Sequence, residues 1–319
     1  MTKDNLKIVF FGTPDFAVES LRCIHEAGYN VVAVVTAPDK PAGRGKHLSQ
    51  PAVKEDALIV GIAVMQPVKL KDPDFISQLQ SYGAQLFVVI AFRMLPEAVW
   101  TMPPLGTFNL HASLLPKYRG AAPINWAVIN GETETGVTTF FLKHEIDTGD
   151  IIARQSISIA PDDDAGSVHD RLMELGARLT LDTIDHIVAG DLTTTPQDTI
   201  AGIEPSPAPK IFKDTCHIDW NRPAVQIHNL VRGLSPYPTA WSQLWADDSD
   251  QGALKIFRTA LTDTPASDPG KVYVTDSGRM FVDCADLRLE ILSLQAPGKR
   301  RMDTADFLRG CRFNAMILK

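Results

Sequence analysis

Lys7-Ile8-Val9-Phe10-Phe11-Gly12-Thr13-Pro14-Asp15 decides the fold. Its apolar run has the length of a buried strand and ends on a glycine. Thr13-Pro14-Asp15 then starts a helix, with Thr13 or Asp15 as cap and Pro14 in the first turn. Leu21 and Ile24 continue that helix to Gly28, and Asn30 to Thr36 reads as a second strand. Strand, helix and strand in this order predict a parallel sheet. A dinucleotide fold would carry GxGxxG after the first strand; only Gly12 is present, which argues against a nicotinamide dinucleotide.

The rhythm continues downstream. Ile62 to Met65 is a short strand, and Pro73 to Tyr82 a helix capped by Asp72. Leu86 to Ala91 is a continuous apolar run, hence a buried central strand. Leu95 to Trp100 and Ile124 to Asn130 are helical, and Gly136 to Phe141 and Ile151 to Ile159 are strands. Asp162-Asp163-Asp164 caps an amphipathic helix from Ala165 to Ala189. Between Pro38 and Lys54 the rhythm breaks. The basic, glycine-rich segment that includes Lys40, Arg44 and Lys46 predicts a mobile loop, either simply solvated or able to grip a polyanion. It is not a phosphate loop, because Lys40 and His47 stand where a glycine and a hydroxyl residue are required.

Ile203 to Lys210 has three prolines at alternate positions and reads as a semi-rigid extended linker. The expected division is a first domain over 1–204, a linker over 205–210 and a second domain over 211–319. The second domain predicts a helix from Pro223 to Leu234, then five short strands suggesting a small barrel, and a last helix from Asp303 to Leu308.

Composition narrows the function. The 319 residues are 45% hydrophobic and 22% charged, with a net charge of -7. Residues 208–319 carry 15 Lys and Arg against 13 Asp and Glu, a net of +2, which leaves -9 for the rest. A weakly basic tail domain on an acidic body is compatible with RNA contact. No run is long enough to span a membrane and the start lacks a signal peptide, so a cytoplasmic protein is expected. The four scattered cysteines support neither a disulfide frame nor a zinc site.

Asn109-Leu110-His111 carries the candidate chemistry. Two residues apart on an extended backbone, Asn109 and His111 share one face. The amide supplies donors that do not titrate, and the imidazole exchanges a proton near neutral pH. Leu114-Leu115-Pro116 ends the strand in an apolar wall. Asp147 and Asp150 flank a Thr-Gly turn, and nothing local separates them. Either carboxylate, brought beside His111, would stabilise its charged form.

Taken together, Asn109 to Gly120 with its Ala-Ala-Pro-Ile continuation, Asp147-Thr-Gly-Asp150, Phe11-Gly-Thr-Pro and the loop Pro41 to Lys46 resemble the methionyl-tRNA formyltransferase family across nearly the whole chain. The resemblance implies a Rossmann-like parallel-sheet formyltransferase domain followed by a small OB-like β-barrel. It implies transfer of a formyl group from 10-formyltetrahydrofolate to the methionine amine of initiator Met-tRNA, without a metal, by a monomer. Asn109, His111 and Asp147 would then be catalytic. Ser113, Leu114, Leu115 and Pro116 would form part of the folate site, and Lys40, Arg44 and Lys46 would meet the tRNA acceptor end. Whether His111 acts directly or through water stays open. One departure stands out: Ala91-Phe92-Arg93 replaces the family's usual Ala-Tyr-Gly. The rivals are a formyltransferase acting on a sugar-nucleotide amine, which would lack the basic loop and barrel, and an RNA-binding module without turnover.

Overall fold

The computed structural model describes residues 2–42, 47–311, 313 and 315–319. The chain forms two compact units. One comprises 1–120, 135–157 and 169–207; the other comprises 121–134, 158–168 and 208–319.

The first unit opens with β1 (Lys7–Gly12), α1 (Val18–Glu26) and β2 (Asn30–Val35). The helix start differs from expectation. A 3-10 turn over Asp15–Ala17 precedes α1, and the Asp15 carboxylate accepts the Phe16 N–H at 3.0 Å instead of capping the helix. Next come β3 (Lys40–Ala42) and β4 (His47–Ser49), which pair antiparallel. The expected loop therefore has hairpin arms, because backbone pairing needs no apolar periodicity; Arg44 and Lys46 lie outside the described residues. The series continues with α2 (Ala52–Ile59), β5 (Val64–Met65), α3 (Pro73–Ser81), β6 (Leu86–Ile90), α4 (Glu97–Trp100) and β7 (Thr107–His111). Asp72 caps α3, accepting the Asp74 N–H at 3.1 Å. β8 (Arg119–Gly120), α5 (Pro123–Ile129), β9 (Glu134–Phe141), β10 (Ile151–Ser158), α6 (Ala165–Ala189) and β11 (Pro207–Ala208) follow along the chain; of these, α5 and residues 165–168 of α6 belong to the second unit, and β11 ends on its residue 208.

The sheet has seven strands in the order β10-β9-β7-β6-β1-β2-β5. The pairs from β7 through β5 are parallel, and β9 joins β7 antiparallel. Strands buried on both faces read as unbroken apolar runs, which is why β1 and β6 were legible. On one face Val9, Phe11, Phe87 and Val89 pack with Phe75, Leu79 and Val99. Each such side chain contributes about 1.5–3 kcal/mol when fully buried. α6 comes close to β7 at Gly176, where a Cβ would stand 2.6 Å from Leu110 Cδ2.

In the second unit, α7 (Ala224–Gly233) is followed by β12 (Ala240–Ala246), β13 (Ser249–Pro265), β14 (Val272–Val274), β15 (Met280–Asp283), β16 (Leu287–Gln295), β17 (Met302–Asp303), α8 (Thr304–Arg309) and β18 (Met316–Leu318). The order β14-β15-β16-β13-β12-β18 curls into a nearly closed barrel. The two ends meet where the Leu318 N–H donates to the Gly270 carbonyl at 2.8 Å. Leu244, Leu254, Ile256, Val282, Leu289 and Ile291 fill the interior with Ile227 and Val231 of α7. The five expected strands are present. β18 adds a sixth to the barrel; three residues are too few to read locally, and its partner β12 is about seventy residues away.

Candidate active site

The site builds from β7. Asn109 lies opposite Val89 and Phe140, and His111 lies opposite Thr138 at the carboxyl end of the strand. Strand order reverses between β1 and β6, and in open α/β sheets ligands bind outside the carboxyl ends near such a reversal. β7 is the next strand over, so His111 stands at that edge.

His111 is buried, and its Nε2 lies 2.8 Å from the Tyr118 carbonyl oxygen. A carbonyl only accepts, so Nε2 carries the proton. In the neutral ring Nδ1 is therefore the basic nitrogen, and it faces Asp147 Oδ2 at 3.8 Å. That distance is too long for a hydrogen bond and short enough for a charge on the imidazole to be stabilised. Asp147 Oδ2 accepts the Gly120 N–H at 2.9 Å. Three residues, Tyr118 to Gly120, thus hold both partners, one through a carbonyl and one through an N–H. Asn109 is half-buried, and its amide has no intramolecular partner among the described residues.

The structure separates the two carboxylates that looked alike. Asp150 bonds Lys143 Nζ at 2.7 Å, whereas Asp147 turns to His111. Asp147 has φ 55°, in the left-handed region that Asp tolerates better than most residues. The turn beyond it needs Gly149, where a Cβ would lie 1.6 Å from the Phe141 carbonyl oxygen.

The segment after His111 is a tight turn. Ser113 is fully buried and its hydroxyl donates to the Lys117 carbonyl at 2.6 Å. Thr138 Oγ1 donates to the Ser113 carbonyl at 2.6 Å and accepts the Leu115 N–H at 3.1 Å. Leu115 packs with Phe140 and Ile151, Pro116 is buried, and Leu114 is half-buried. Arg93, the departure from the family pattern, turns its guanidinium to the carbonyls of Val68 (2.9 Å) and Pro67. Lys40 is exposed on β3.

Sequence reasoning missed three contributors. Tyr118 acts through its carbonyl and Gly120 through its N–H, which no residue type announces. Gln197 is buried among polar partners; a buried amide far from any motif leaves no signal in a single sequence. Among the described residues no group of three His, Cys, Asp or Glu side chains could hold a metal ion, and no helix is long and apolar enough to cross a membrane.

Comparison with known proteins gives concordant results. Residues 6–184 match the model of the formyl transferase family, and residues 210–312 match that of the formyl transferase C-terminal domain. A protein of Parabacteroides distasonis called methionyl-tRNA formyltransferase is 55% identical over 314 residues, which is 97% of each chain. Among solved structures, WlaRD, a sugar 3N-formyl transferase, superposes with a TM-score of 0.66 at 21% identity, over 93% of this chain and 100% of its own. HypX from Aquifex aeolicus in complex with tetrahydrofolic acid gives 0.63 at 18% identity, over 96% of this chain and 47% of its own.

Proposed function

The chain belongs to the methionyl-tRNA formyltransferase family, and on that premise we propose how its own residues carry the reaction. The enzyme moves a formyl group from a formyl-folate to the α-amino group of methionine on initiator tRNA. In our reading the donor is 10-formyltetrahydrofolate and the site of action is the cytoplasm. The chain acts as a monomer, with residues 1–204 doing the chemistry and residues 211–319, joined through 205–210, holding RNA.

One observation carries the assignment of roles. The imidazole of His111 is tied through Nε2 to the Tyr118 carbonyl, which leaves Nδ1 as the base opposite Asp147. The methionine amine attacks the formyl carbon, forming a C–N bond and a tetrahedral oxyanion. Asn109, whose amide is unspent, donates to that oxygen, an interaction worth about 3–4 kcal/mol in comparable oxyanion sites. His111, directly or through a water, takes the proton that the amine must lose. The Asp147 carboxylate stabilises the imidazolium so formed. The bond to N10 then breaks, the proton passes to N10, and tetrahydrofolate and formyl-methionyl-tRNA leave. No step needs a metal. Ser113, Leu115 and Pro116 serve the folate site through the shape of their turn and Leu114 through its half-buried side chain. Lys40, Arg44 and Lys46 grip the acceptor end.

The test is an assay of the purified protein with 10-formyltetrahydrofolate and either Met-tRNA or an amino-sugar nucleotide. Formylation of Met-tRNA is expected. Formylation of the sugar alone would overturn the reading.

A further inference from the structure

Gln197 lies fifty residues beyond Asp147 on a 3-10 turn (Gln197–Thr199), and its side chain is buried. The turn hangs from β10 through the reciprocal 2.8 Å backbone bonds of Thr195 and Ile151. All the hydrogen bonds of the Gln197 amide go to segments that hold the catalytic pair. Nε2 donates to the Asp147 carbonyl at 2.9 Å and to the Gly149 carbonyl at 2.8 Å. Oε1 accepts from Arg119 Nε at 3.1 Å and from Nη2 at 2.6 Å. A guanidinium only donates and a carbonyl only accepts, so the amide has one allowed orientation.

We propose that Gln197 is a positioning residue for formyl transfer: it locks the Asp147–Gly149 turn to Arg119 and thereby sets the Asp147 carboxylate opposite His111. The inference rests on the reading of His111 and Asp147 as the catalytic pair. Asp147 occupies left-handed backbone, a conformation that persists only when its surroundings over-determine it. Gly120 holds the carboxylate end of Asp147, and Gln197 holds the main-chain end. Arg119 lies between Tyr118, which fixes the His111 ring, and Gly120. Through Arg119 the amide joins the two halves of the site. A side chain that only filled space would need neither the donors nor the guanidinium.

The discriminating variant is Gln197→Glu. It keeps volume and the grip of Arg119, and it replaces the two-donor NH2 with an oxygen facing two carbonyls. Parent, Gln197→Glu and His111→Ala are assayed together with 10-formyltetrahydrofolate and Met-tRNA, with thermal melting alongside. We expect Gln197→Glu to lower kcat about 10- to 100-fold, with both KM values within about twofold of the parent and melting unchanged within a few degrees. A kcat within about twofold of the parent overturns the proposal, as does a loss of kcat that only follows loss of folded protein. If Gln197→Glu does not fold, Arg119→Lys is read instead. It keeps the cation but loses the two-pronged hold on Oε1, and it must show the same split between kcat and KM. An inactive parent would instead sink the formyl-transfer reading, and an active His111→Ala would sink the catalytic pair.

Discussion

His111 Nε2 donates to the carbonyl oxygen of Tyr118 at 2.8 Å, so a backbone group seven residues on decides which imidazole nitrogen is basic. Tyr118 holds φ 61°, an uncommon conformation for a bulky residue, and its amide N–H donates to Ser206 Oγ at 2.9 Å. The ring is thus oriented by main chain, and the carboxylate of Asp147 contributes charge.

His111→Ala removes the proposed base and leaves the proposed RNA-contacting elements untouched. We expect kcat to fall about 10²- to 10⁴-fold, as for loss of a general base, with Met-tRNA affinity within about twofold. Single-turnover formylation and filter binding measure the two. A near-normal rate would remove His111 from catalysis.

Asp147→Asn keeps an oxygen for the Gly120 N–H and deletes the charge facing His111. The expected result is a loss of about 10- to 100-fold in kcat with little change in melting temperature. An equally active Asp147→Asn enzyme would show that the charge has no role.

Gly149→Ala cannot be accommodated in place, because the new methyl would overlap the Phe141 carbonyl. Urea denaturation should show a loss of about 1–3 kcal/mol or more, and kcat should fall because the turn carries Asp147. A variant as stable as the parent would contradict the geometry.

Asp283 gives the barrel a pH dependence. Burial pushes its pKa up, but the Ser267 and Asp268 N–H groups and Arg288, 2.8 Å away, outweigh this and hold it below the usual carboxylate value. A depressed pKa stabilises the fold above the unfolded value, and that contribution is lost as pH falls through the folded one. Denaturant midpoints of Asp283→Asn should therefore lie below those of the parent at pH 7, with the gap closing below about pH 4. A constant gap at all pH values would rule out charge as the cause.

Arg44→Ala should weaken Met-tRNA binding more than folate binding. The salt slope of log K should fall by about 0.7–0.9 per cation removed. Equal effects on both substrates would detach the basic loop from RNA.

The sequence by itself determined the parallel sheet and the barrel strands. Strands buried on both faces must be unbroken apolar runs, as in Leu86–Ile90, and strands buried on one face must alternate, as in Ala240–Ala246. It also put Asn109 and His111 on one face, because a strand repeats every two residues. Tertiary structure alone decided the rest. That Asp147 and not Asp150 faces His111 depends on where each side chain goes after the turn, and Lys143 claims the other. Tyr118 and Gly120 act through carbonyl and N–H groups that every such residue possesses. Gln197 reaches Asp147 across fifty residues, and segments 121–134 and 158–168 join the compact unit of the barrel. Periodicity records which face of an element is buried; it holds no record of which distant backbone group will meet a given side chain.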